Sequence, residues 1–201
     1  MTTTVEKPAG KTAAFEVIPM DAALGAEVRG IDLGHLDDVT FRKIHDAWLD
    51  HLLLVFRAQQ IEAQDLVDFA CRFGTPVTSS NLHQRDLAER TANRLFDLPP
   101  EVTVVTNLQA DGQPVGILGD GEVVWHSDFS FKERPTAARM LFAREIPPAG
   151  QGKTYFVNCY AAYETLSDEM KRRVSGKTIK QGNVVDTAML ATCSGSPREN
   201  G

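Results

Sequence analysis

Glu122-Val123-Val124-Trp125-His126-Ser127-Asp128-Phe129-Ser130-Phe131 is the stretch on which the reading of this chain turns. Its first five residues are apolar enough for a buried strand, Glu122 to His126. Side chains leave an extended segment alternately to its two faces. His126 and Asp128 therefore share a face and Ser127 takes the other. An imidazole nitrogen and a carboxylate oxygen on one face make two-thirds of the 2-His-1-carboxylate set that holds non-haem Fe(II). The third member of such a set is a second histidine, and none follows position 126.

By itself His-x-Asp is a weak signal, and a surface histidine beside a loop aspartate gives the same letters. The surroundings strengthen it. The pair ends an apolar strand after a glycine-rich loop, Asp111 to Gly121, with Trp125 and Phe129 on either side. Those aromatics are expected to form an apolar wall that partly excludes water.

Outward from this stretch, short strands are expected at Phe15 to Ile18 and Ala26 to Ile31, punctuated by Gly25, Gly30 and Gly34. A helix is expected from a cap at Asp37 or Asp38 to about His51, with Phe41, Ile44, Ala47, Trp48 and Leu52 at helical spacing. Leu52 to Phe56 reads as a buried strand. Ala63 to Phe73 reads as a second helix, with Leu66, Val67, Phe69 and Ala70 inward and Gly74 beyond its end. Thr75 to Pro100 is irregular, with a helical turn near Leu87 to Leu95. Strands follow at Val102 to Thr106, Thr136 to Ala143 and Thr154 to Val157. Asn158 to Leu166 reads as helical, and Ser167 caps a last helix to Val174.

The order of motifs resembles the TauD/TfdA-like (taurine/2,4-D dioxygenase) family of Fe(II)- and 2-oxoglutarate-dependent oxygenases. The run Trp125 to Phe131 is followed by Pro135, Arg144-Glu145-Ile146-Pro147, Gly152-Lys153-Thr154 and Ala161 to Ser167. Toward the N-terminus, Gly25-Ala26-Glu27-Val28 with Gly30-Ile31-Asp32-Leu33 resembles the family's opening hairpin. Leu53 to Arg57 with Gln59 resembles its first core strand, and Ala70 to Gly74 its helix end.

This resemblance implies an α+β fold with a double-stranded β-helix (jelly-roll) core and flanking helices. It implies that His126 and Asp128 ligate iron and that Thr154 bonds the distal carboxylate of 2-oxoglutarate, the co-substrate consumed with O2. It also implies hydroxylation of a small, anionic organic substrate. The family's distal histidine and its 2-oxoglutarate-binding arginine have no counterpart here. The chain is accordingly expected to be a C-terminally incomplete dioxygenase: a flexible tail over 1–14, the N-terminal part of the domain over 15–182, and an irregular tail over 183–201. Two other readings are a catalytically inactive dioxygenase-like module and a cupin-like metal-binding protein, which has no need of Thr154.

Composition narrows the field. Among 201 residues, 42% are hydrophobic and 24% charged, ordinary values for a globular protein with its own core. A net charge of -6, with 21 scattered Lys and Arg, argues against a nucleic-acid surface. No apolar run reaches the length of a membrane span. Cys71, Cys159 and Cys193 form no CxxC pair, so reduced thiols and a cytoplasmic location are expected, with Cys71 and Cys159 packed as small hydrophobes. Open strand edges in an incomplete barrel predict homo-oligomers.

Other features carry less. Gly150-Gln151-Gly152-Lys153-Thr154 resembles the end of a phosphate-binding loop, but Pro147 stands where that pattern needs glycine. His45 and His51 belong to a helix and His35 to a turn. His83 lies in the irregular region where the family places substrate-contacting loops, which makes it a weak substrate-site candidate beside the simpler reading of an exposed loop histidine.

Overall fold

The computed structural model describes residues 15–78, 95–118 and 125–179. Its best-formed unit is a three-stranded sheet covered by two helices. Strand β1 (Glu16–Pro19) runs antiparallel to β2 (Ala26–Arg29), with Val17 opposite Val28 and Ile18 opposite Glu27. The connecting turn closes where Met20 N donates to the Gly25 carbonyl at 2.9 Å. Gly25 sits at φ +108°, a backbone conformation that residues other than glycine rarely adopt. Burial along β2 alternates: Ala26 and Val28 face the core, Arg29 faces out.

Helix α1 (Asp38–His51) carries the chain to β3 (Leu54–Phe56), which pairs parallel to β2. Asp37 caps α1, its Oδ1 accepting from Thr40 N at 2.6 Å. Thr40, Ile44 and Ala47 form the buried stripe. Leu52, at φ 66°, ends the helix by donating its N–H to the Trp48 carbonyl. This left-handed cap shortens the expected strand, which starts at Leu54 rather than Leu52.

Helix α2 (Ala63–Cys71) buries Val67 and Phe69, and Asp65 Oδ2 accepts from Glu62 N at 2.9 Å at its start. Leu33, Ile44, Ile61 and Phe69 make the core. Phe41, Phe56, Phe73, Met140 and Phe142 pack on it from the sides. Gln59 stitches the loop after β2 to the chain after β3: its Oε1 accepts from Leu33 N, and its Nε2 donates to the carbonyls of Ile31 and Arg57. Cys71 and Cys159 are exposed, against expectation. Cys71 is the last residue of α2, two beyond the buried Phe69.

The middle of the chain differs from its sequence reading. Only Val105–Thr106 (β4) of the expected strand Val102 to Thr106 is paired, in parallel with β7 (Ile117–Leu118). Asp111 onward is not simply a loop. Gln109–Ala110 (β5) and Gln113–Pro114 (β6) form an antiparallel hairpin across Asp111 and Gly112, at φ 51° and 73°. Two consecutive positive φ values at Asp-Gly define the tight hairpin turn whose twist matches that of paired strands. Of the turn expected near Leu87 to Leu95, only Leu95 is described, and it is helical.

Three expected strands lack a ladder. Trp125 and His126 are not in a strand, and Glu122 to Val124 lie outside the described residues. Thr136 to Ala143 keeps a strand's period, half-buried and exposed residues alternating throughout, with Met140 and Phe142 turned to the core. No strand among the described residues pairs with it, nor with Thr154 to Val157, which is exposed along its whole length. An extended backbone becomes a strand only when a neighbour takes its N–H and C=O groups. Helices α3 (Cys159–Glu164) and α4 (Asp168–Val174) follow as expected, capped by Asn158 and Ser167. No described helix is long and apolar enough to cross a membrane.

Candidate metal centre

Asp128 begins a turn that runs through Phe131. Phe129 adopts φ 51°, and its carbonyl accepts from Lys132 N at 2.9 Å. The left-handed residue stops the backbone from continuing as a strand. It also swings the Phe129 ring under the Lys132 ammonium, 4.5 Å from the ring centre.

At the start of this turn, the side chains of His126 and Asp128 converge. His126 Nε2 lies 3.4 Å from Asp128 Oδ1. The other carboxylate oxygen, Oδ2, accepts from Arg139 Nε at 2.6 Å. Arg139 comes from the extended segment Thr136 to Ala143, at a position whose neighbours Met140 and Phe142 are held by the core.

The side chains of His126 and Asp128 are 52% and 30% exposed, and Trp125 is 69% exposed. The indole therefore does not wall the pair off from water as its place in the sequence implied. An apolar residue shields a neighbour only when something packs on it, and Trp125 stands out from the described surface.

The donor set suits a divalent metal. Cis ligands at bonds of ~2.1 Å sit roughly 3 Å apart, close to the 3.4 Å between the His126 nitrogen and the Asp128 oxygen. Imidazole with carboxylate is the mixed set that Fe(II) accepts. Among the described residues no three His, Cys, Asp or Glu side chains cluster, so they offer two donors here and no third.

Thr154 is exposed on the segment before α3, with Gly152 and Lys153 ahead of it. The Gly150-to-Thr154 stretch leads into extended chain and not a helix, which removes the phosphate-loop reading. His35 Nδ1 is bonded to Asp32 Oδ2 at 2.8 Å, and His45 packs among Phe41, Trp48 and Phe73. Neither approaches the pair. His83 lies outside the described residues. Arg139 was missed in the sequence; its one signal was a cation at an outward position of an otherwise apolar alternating segment.

Residues 16–186 match the family described as taurine catabolism dioxygenase TauD, TfdA family. The chain belongs to that family. It is 35% identical over 156 residues to pentalenolactone F synthase of Streptomyces avermitilis, covering 76% of this chain and 48% of that protein. It is 30% identical over 162 residues to (S)-phenoxypropionate/alpha-ketoglutarate-dioxygenase of Sphingobium herbicidovorans, covering 80% of this chain and 51% of that one. The chain thus spans about half the length of the curated relatives it matches. Among solved structures, AAD-2 in complex with Mn(II) and N-oxalylglycine aligns with a TM-score of 0.50 at 23% identity, over 80% of this chain and 49% of that one. That likeness places the fold among structures of this type.

Proposed function

We propose that this chain is part of an Fe(II)- and 2-oxoglutarate-dependent dioxygenase that hydroxylates a small anionic organic substrate on a jelly-roll core with flanking helices. Family membership supports the chemistry. The observation that carries it to particular atoms is the approach of His126 Nε2 to Asp128 Oδ1 at 3.4 Å. The phenoxypropionate named for one relative is a carboxylate, which supports an anionic substrate.

In this reading His126 and Asp128 hold the iron, and a third protein ligand comes from outside the described residues. When bound, Fe(II) with 2-oxoglutarate and O2 supplies the oxidation: one oxygen atom enters the substrate C–H bond, and the other leaves in succinate as CO2 is lost. The chain's own groups do the holding. His126 presents a neutral imidazole nitrogen, which requires its proton on Nδ1. Asp128 brings the negative charge. Thr154 donates its hydroxyl proton to the distal carboxylate of 2-oxoglutarate, a charge-assisted bond that an exposed hydroxyl is able to make.

The test is anaerobic addition of Fe(II) and 2-oxoglutarate. A visible charge-transfer band is expected, lost in Asp128→Ala and in His126→Ala. Its absence from the unsubstituted protein sinks the reading.

A further inference from the structure

The Asp128 carboxylate is shared between two neighbours, and the division is unequal. Oδ2 is held by Arg139 Nε at 2.6 Å, while Oδ1 faces His126 Nε2 at 3.4 Å. We propose that Arg139 is a positioning residue: it pins one oxygen of Asp128 so that the other alone is turned to the metal beside His126. The inference rests on the metal-site reading above and adds a residue to it.

Three observations support this. First, the 2.6 Å contact is a short, charge-assisted hydrogen bond, and such bonds fix orientation as well as adding attraction. An aspartate without it rotates freely about its last torsion and offers either oxygen, or both, to a cation. Second, Arg139 is presented from an anchored backbone. Met140 next to it and Phe142 beyond it pack on the core of Leu33, Ile44, Ile61 and Phe69. The guanidinium on the opposite parity is thereby aimed at the face where Asp128 stands. Third, the chain turns immediately after Asp128, where Phe129 stands at φ 51°, so the segment that returns to meet the carboxylate is the one that carries Arg139.

A guanidinium beside a metal ligand also repels the metal. Arg139 is 53% exposed, so water screens much of that repulsion. Orientation of the carboxylate is not screened, and it prevails. Groups that orient metal ligands typically change affinity by about 10–100-fold when removed.

The experiment titrates the full 201-residue chain with Mn(II) alone and follows loss of the free-ion electron paramagnetic resonance signal. Asp128→Asn defines the site-specific part of the binding. Arg139→Met is expected to weaken that part by at least ~10-fold, and Arg139→Lys, which restores a charged donor, to recover part of the loss. Circular dichroism melts of the variants are expected to overlay the parent, because the side chain is half exposed. If Arg139→Met misfolds, Arg139→Gln against Arg139→Lys carries the same comparison. Unchanged or tighter Mn(II) binding in Arg139→Met overturns the positioning role and leaves the metal site standing. Binding indifferent to Asp128→Asn removes the site, and the positioning role with it.

Discussion

Asn158 Nδ2 donates to the carbonyl of Ala23 at 2.8 Å, joining the start of α3 to the β1–β2 turn across most of the chain. The same side chain caps α3, its Oδ1 accepting from Ala161 N at 3.0 Å. One amide thus serves a local and a long-range purpose, and substitutions separate them. Asn158→Ala removes both bonds and is expected to lower stability by about 1 kcal/mol, the usual worth of a helix cap, with the exposed cross-chain bond adding little. Asn158→Asp keeps an acceptor for Ala161 N and loses the donor to Ala23, so it is expected to lose less. Urea midpoints of the two variants decide this. Equal losses would show that the link to Ala23 carries the effect.

Gly116 is a position where space rather than torsion demands glycine. A Cβ there would lie 2.5 Å from the Val104 carbonyl oxygen and 2.8 Å from Thr106 Cγ2. Ile117 N donates to that same Val104 carbonyl at 3.0 Å, so a methyl group at 116 pushes against the pairing of β4 with β7. Gly116→Ala is expected to cost about 1–3 kcal/mol, the range for overpacking a close contact. Gly112→Ala, where nothing lies within 4 Å of the added carbon but φ is +73°, carries only the strain of the left-handed conformation, about 1 kcal/mol. Thermal melts of the pair should rank Gly116→Ala as the more damaging.

The helical half of the fold was legible because helices announce their ends locally. Asp37 and Ser167 are capping residues placed before periodic apolar runs, and both cap where expected. Strands β1 to β3 form close to their expected bounds, whereas the later ones were legible only as unpaired chain. Thr136 to Ala143 has the alternation, but pairing depends on a distant partner that no local pattern names. The β5–β6 hairpin could have been found from Asp111-Gly112, a strong short-range turn signal that was submerged among neighbouring glycines. In the site, His126 and Asp128 were visible from their spacing of two, although the structure brings them together at the start of a turn and not on a strand. Arg139 was not, since its contact with Asp128 depends on how the chain returns after the turn at Phe129.

Glu27 gives the sheet a pH dependence. Its carboxylate accepts a hydrogen bond from Arg29 Nε at 2.6 Å, which holds its pKa below the ordinary glutamate value of 4.5, with Arg57 adding attraction at 3.6 Å and partial desolvation opposing both. A carboxylate with a lower pKa in the folded state stabilises the fold above its unfolded value. That contribution is complete above pH 4.5 and is lost as the pH falls through the folded value. Glu27→Gln removes the titration. Stability measured by urea from pH 7 down to pH 3 is expected to fall less steeply for the variant, and parallel curves would show that the pair with Arg29 contributes nothing.

Thr154 offers the sharpest test of co-substrate binding, because it is exposed and its replacement leaves the packed core intact. Thr154→Val keeps the shape of the side chain and removes the hydroxyl. A neutral donor bonded to a charged acceptor contributes about 1.5–3 kcal/mol, so the 2-oxoglutarate concentration giving half of the Fe(II) charge-transfer band is expected to rise by at least ~10-fold. Thr154→Ser, which keeps the hydroxyl, is expected to stay near the parent. The maximum intensity of the band should be unchanged in both, since His126 and Asp128 are untouched. A Thr154→Val titration that overlays the parent would remove Thr154 from the proposed co-substrate site while leaving the proposed roles of His126 and Asp128 in place.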